Sequence, residues 1–183
     1  MSTKRLSRLW RCGVVAALLA LPAWVKAEDC VLSVAQPVVD MGDNYRAQME
    51  PAGEGLLVGK RLIALSISCQ GNTGMGLSFA GEPVDERGYR FARSGLFTLK
   101  VVRAQLDGQS VQLVNRASPE SGQQTGTLFR PGMTLVPYAQ GQVVRGQQLN
   151  VQFELASYVT EQDTLVSQKE LWEGRGQFVL DEF

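Results

Sequence analysis

Leu149, Val151, Phe153 and Leu155 alternate with Asn150, Gln152 and Glu154 without a break. A period of two places the four apolar side chains on one face of an extended strand and the three polar ones on the other, whereas a helix would scatter them. The segment is therefore predicted to be a β-strand with one dry and one wet face, and it needs a second apolar layer to pack against. No long stretch of the chain shows a helical period. Short β-like runs punctuated by Gly, Asn, Asp and Pro fill the rest.

A first strand is predicted over residues 31–39, with Pro37 marking an edge or a bulge. A turn follows at 41–44. A second strand lies within 56–69, clearest from Leu62 to Ser68, and 70–74 reads as a turn into a strand at Leu77, Ser78 and Phe79. Residues 83–93 are polar and loop-like. A strand at 96–102 leads to Asp107-Gly108, a strong hairpin signal, with 111–114 as the returning strand. The Ser-, Gly- and Gln-rich 118–127 reads as a mobile loop, 134–138 as a short strand, 164–173 as a loop or a short helical turn, and 177–183 as the last strand. Strands at this spacing imply an all-β sandwich. With no internal repeat and no linker, one domain is expected over residues 28–183.

Ahead of it stands a signal-peptide pattern over 1–27. Lys4, Arg5, Arg8 and Arg11 form a basic start, residues 14–21 an apolar run too short to span a membrane, and Val25, Lys26 and Ala27 a cleavage site. Export takes Cys12 away and leaves the pair Cys30 and Cys69, for which a disulfide is the default in an oxidising compartment. On the chain-entropy model, closing such a loop stabilises the fold by about 4 kcal/mol. A metal site is the rival reading, but it lacks further ligands because the chain has no histidine.

The whole chain carries 18 basic and 18 acidic residues. The signal removes five cations and no acid, which leaves the mature chain near −5 by simple counting. That balance disfavours a nucleic-acid surface, which needs clustered Lys and Arg. Without histidine, Ser-His and Cys-His pairs are excluded. Gly71, Gly74 and Gly76 lack the helix and the Lys-Ser/Thr of a phosphate loop. Glu170 and Glu173 around Trp172 read as a solvated segment rather than an acid–base pair. No enzyme, cofactor or metal is expected. In the loop at 83–93, Tyr89, Arg90 and Phe91 beside Asp85, Glu86 and Arg87 form a candidate receptor-binding patch, since aromatic faces and guanidinium forks suit carbohydrate or protein partners.

Several of these segments, taken in order, resemble the pilin domains of chaperone–usher fimbriae of Gram-negative bacteria. They are Cys30 to Ser33, the Val38-Val39-Asp40-Met41-Gly42 turn, Ile63 to the second cysteine at Cys69, Leu77 to Gly81, the Asp107-Gly108 turn, and the closing Gly176 to Leu180. The resemblance implies an incomplete immunoglobulin-like β-sandwich that lacks its last strand. It also implies a periplasmic chaperone that lends a strand, an outer-membrane usher, and a neighbouring fimbrial subunit whose N-terminal extension replaces the chaperone strand. Phe178 and Leu180 would then border an acceptor groove between the first and last strands. Phe183 would belong to the same chaperone-binding strand, its carboxylate meeting basic chaperone residues.

Two departures from the family pattern matter. A donor strand needs about ten residues ahead of the first cysteine to span the groove at 3.3 Å each, and cleavage after Ala27 leaves only Glu28 and Asp29. The expectation is a minor subunit that accepts a strand but donates none, placed at the fibre tip on the cell surface, with a host-surface receptor as a further partner in adhesion. The family often has a penultimate aromatic residue and a glycine fourteen from the end, where this chain has Glu182 and Glu170. The rival reading is a free-standing periplasmic or surface binding module with a complete sandwich.

Overall fold

A computed structural model describes residues 30–53, 55–119, 128–166 and 168–183. The expected signal peptide, Glu28, Asp29 and residues 120–127 of the expected loop lie outside them.

The described residues form two antiparallel sheets. The first runs, in spatial order, β1 (Cys30–Val34), β3 (Gly55–Thr73), β11 (Gly146–Val159), β6 (Gly95–Leu106) and β5 (Tyr89–Phe91). Two short strands extend it: β2 (Glu50–Ala52) along β3 and β7 (Gln109–Ser110) along β6. In the second sheet β9 (Thr134–Ala139) is flanked by β8 (Gln112–Asn115), by the short β10 (Gln142–Val143), and by β4 (Met75–Gly81), which pairs in turn with β12 (Gly176–Glu182).

The alternating segment at 149–155 is the middle of β11, which pairs with β3 on one side and β6 on the other. Its apolar face is dry: Leu149, Val151 and Phe153 are buried. They meet Ile63, Leu65 and Ile67 of β3, Leu99 and Val101 of β6, and Met75, Leu77 and Leu135 of the second sheet in a single core. Six aromatic rings run through that core in contact. Phe178 stacks on Phe153 and meets Phe79 edge-on; Phe153 stacks on Phe129; Phe79 meets Tyr89 and Phe97. The molecule is an all-β sandwich.

The disulfide joins Cys30 to Cys69. The two residues stand directly opposite each other in the β1–β3 ladder, so the bond fastens the first strand of the domain to the longest.

Besides the first strand, which ends at Val34 rather than at residue 39, three segments differ from the sequence reading. The expected turn at 70–74 does not reverse the chain. Strand β3 continues to Thr73, and Gly74 alone carries the chain across to β4 in the other sheet. A Cβ on Gly74 would lie 2.7 Å from the ring of Phe183, so the close approach requires glycine here. The Asp107-Gly108 turn forms as expected, with φ of 49° and 80°. Its returning strand, however, is only the two residues of β7; Val111 then leads the chain into β8 of the second sheet. A second turn of the same kind, Gln140-Gly141 at φ 51° and 82°, joins β9 to β10.

The third difference is the segment expected to be a polar loop at 83–93. Its end forms β5, paired with β6. Tyr89 is 1% and Phe91 7% exposed, so the aromatic faces offered as a receptor patch are core. The period of two explains it: Tyr89 and Phe91 turn inward, and Arg90 between them turns outward, with its Nε 3.3 Å from Glu82 Oε1.

Strands β8 and β9 lie over the β6 side of the first sheet, because β8 follows directly from β7 and Leu128 bridges to Lys100 of β6. Strand β12 ends the second sheet: it starts two residues after Gly174, which bridges Phe91 of β5, and just beyond its end Phe183 pairs with Gly74, where β3 passes into β4.

Candidate functional site

Each sheet ends in a strand, β1 in the first and β12 in the second, that is paired, among the described residues, on one flank alone. The hydrogen-bond phase of both strands follows from two contacts. Phe183 and Gly74 exchange both main-chain hydrogen bonds, each 3.1 Å. In an antiparallel ladder such pairs recur every second residue, so Asp181, Val179 and Gln177 spend their N–H and C=O groups on β4. The main-chain groups of Phe178, Leu180 and Glu182 point away from it. In the same way Ala35 N–H donates to Ala64 O at 2.9 Å. Ser33 and Val31 then bond to β3, while the groups of Cys30, Leu32 and Val34 point outward.

Side chains follow the same parity. Phe178 and Leu180 pack against the core from β12, and Leu32 and Val34 from β1, yet all four are only partly buried. The core-facing residues of the neighbouring strands are dry: Ile67 and Leu77 are both 0% exposed. Along these two strands, unpaired main-chain groups and incompletely covered apolar side chains thus belong to the same residues. Behind Leu32 and Val34, residues 35–40 and Arg61 line an open cleft. Val39 and Met41 reach back onto the core, and Gly42 N–H bonds to Asp40 Oδ1 at 2.7 Å to close the turn between.

Phe178 and Leu180, predicted to border a groove, stand together on the inward face of β12. Phe183 does not. It shares the parity of Val179 and Asp181, so its ring lies on the outer face of the second sheet. There the guanidinium of Arg116 sits 4.2 Å from the ring centroid and also pairs with Asp181. A second guanidinium, that of Arg145, stands 5.9 Å from the same ring. The placement of the ring follows from parity, since Phe183 is an odd number of residues from both Phe178 and Leu180. Leu32 and Val34, partly buried on the core in the same way, were missed, although they alternate with Val31 and Ser33 in the first strand. The Arg116 clamp joins positions 65 residues apart and left no sequence signal.

Elsewhere, Trp172 packs against the core from the segment that leads to β12. Ala92 N–H donates to Glu173 O at 2.9 Å, and Phe91 bridges Gly174, so this segment covers the outer flank of β5. Arg93 lies 3.6 Å from Glu170. At the tip of the segment before β5, Arg87 holds the Asp85 carboxyl below the usual carboxylate range through a side-chain hydrogen bond. No group of three His, Cys, Asp or Glu stands together among the described residues.

No protein-family model matches the chain, and no curated protein matches it.

Proposed function

We propose that this chain is a non-enzymatic subunit of a chaperone–usher fimbria that completes its fold by accepting a β-strand along the open flanks of β1 and β12. The observation that carries the reading is the shared parity of those flanks. Phe178, Leu180, Leu32 and Val34 offer free main-chain hydrogen-bonding groups and half-covered apolar side chains at once. A strand laid there gains a ladder of main-chain bonds and inserts its alternate side chains into the core, which is how strand addition derives affinity and specificity. Left bare, an edge of this kind promotes pairing with other chains. A periplasmic chaperone and then a neighbouring subunit are the occupants the sequence resemblance supports, with the usher exchanging them. The tip position rests on the expected cleavage after Ala27, and the mass of the mature N terminus tests it. Receptor contact would fall to outer faces and loops, since the rings of Tyr89 and Phe91 are buried.

The test is periplasmic expression of the mature chain with and without a chaperone of this pathway. A higher yield with the chaperone, as a one-to-one complex from which a strand-donating peptide releases the chain as a more stable species, is the expected result. A chaperone-independent yield of monomer that a strand-donating peptide neither binds nor stabilises would favour the free-standing module.

A further inference from the structure

We infer that the strand this edge accepts carries a Lys or Arg two residues along from the side chain that packs beside Leu180, and that Glu182 selects it. The inference rests on the strand-accepting reading above and adds the chemistry of the occupant.

Glu182 has the same parity as Phe178 and Leu180. It stands opposite Met75, a core residue 1% exposed, and its main-chain groups point to the open edge as theirs do. An apolar residue here would extend the floor already laid by Phe178 and Leu180. The chain instead places a carboxylate at the end of that floor. Its neighbour Asp181 shows the contrast. Asp181 points to the opposite face and is neutralised by Arg116. Arg145, the other cation nearby, lies over the Phe183 ring on that same outer face. Among the described residues Glu182 is exposed and has neither an ion pair nor a hydrogen-bonded side-chain partner.

Every strand pair in both sheets is antiparallel, so the occupant is taken to be antiparallel as well. In a hydrogen-bonded antiparallel pair, directly opposite residues have their Cα atoms about 5.5 Å apart with side chains on one face. A Lys or Arg opposite Glu182 comes within ion-pair reach, and a Glu or Asp there meets a like charge. Sliding the occupant by two residues would bring its cation against Leu180 and leave an apolar side chain at Glu182. The charge therefore fixes register as well as partner.

Three synthetic peptides of about ten residues, alike in alternating apolar and polar positions, would differ at this one position: Lys, Leu or Glu. Their binding to the purified oxidised chain at low salt would be compared for the parent protein, Glu182→Lys, Glu182→Gln and Leu180→Glu. The parent should prefer the Lys peptide to the Glu peptide by about tenfold, the size expected of exchanging an attractive for a repulsive cross-strand pair. Glu182→Lys should reverse the preference, Glu182→Gln should remove it, and added salt should shrink it. Leu180→Glu should weaken all three peptides, which places them in the groove. Equal binding of the three peptides by the parent would overturn the charge selection and leave the groove standing. Failure of every peptide to bind would overturn both.

Discussion

Along β5 the last core residues are sealed, and along the outer flanks of β1 and β12 they are not. Tyr89 of β5 packs against Phe79 and Phe97, and residues 172–174 lie across the outer flank of the strand. Leu113 and Val114 of β8 are likewise buried. Along β12, Phe178 and Leu180 show the same aromatic and aliphatic chemistry and the same inward parity, yet no strand or segment among the described residues covers their flank. Composition does not make the difference. Of β5 and β12, only β5 has a covering segment from within the described chain.

The largest expected effect contrasts a residue from each side. Tyr89→Ala should cost about 3–5 kcal/mol in denaturant unfolding, the usual result of emptying a buried aromatic site. Leu180→Ala in the uncomplexed chain should cost about 1 kcal/mol, because a half-covered side chain loses less area and its site is open to solvent. Equal costs would break the contrast.

Next comes the disulfide. Replacing Cys30 and Cys69 by Ala should destabilise the fold by about 2–5 kcal/mol. It should also raise proteolysis at β1 before β5, because the bond holds β1, whose outer flank is open, to β3. Simultaneous cleavage at both strands would show that β1 needs no such fastening.

A smaller effect sharpens the closed side. Burial pushes the Tyr89 hydroxyl from 10.0 up to about 12, and its oxygen has no hydrogen-bond partner among the described residues. Because the unfolded chain ionises first, stability should be fully present below pH 10. It should then fall as pH rises towards 12, by about 2–3 kcal/mol in all. Tyr89→Phe should remove this component of the alkaline decline. At neutral pH it should change stability by less than about 1 kcal/mol, since it deletes an unpaired buried polar group. A loss of several kcal/mol on that substitution would mean that the hydroxyl has a partner in solution. Smallest of all, Arg116→Ala should cost no more than about 1 kcal/mol, because the pair with Asp181 and the contact with the Phe183 ring are at the surface.

Much of the fold could be read from alternation. The 149–155 repeat sits at the centre of the first sheet with its apolar face inward, and Asp107-Gly108 turns the chain where glycine's positive φ is needed. The reading failed where a strand was too short or its polar half too prominent. Tyr89, Arg90 and Phe91 alternate over only three residues, and the flanking charges of Asp85, Glu86, Arg87 and Arg93 outweighed them. It failed at Gln70–Gly74 because residues that favour a turn can also carry the chain between sheets. Phe178 and Leu180 could be placed on one face because their spacing is even. Phe183 lay on the other face by the same rule, and the Arg116 that holds it is distant in sequence and near only after folding.

Amide hydrogen exchange along β12 and β1 in the free oxidised chain tests the central claim most directly. If the edge is open, the amides of Phe178, Leu180, Leu32 and Val34 exchange quickly while those of Val179, Asp181 and Ser33 are protected, and an added strand-donating partner slows the first group alone. Uniform protection along both strands in the isolated monomer would mean that the edge is already covered, and the account of a strand acceptor would fail.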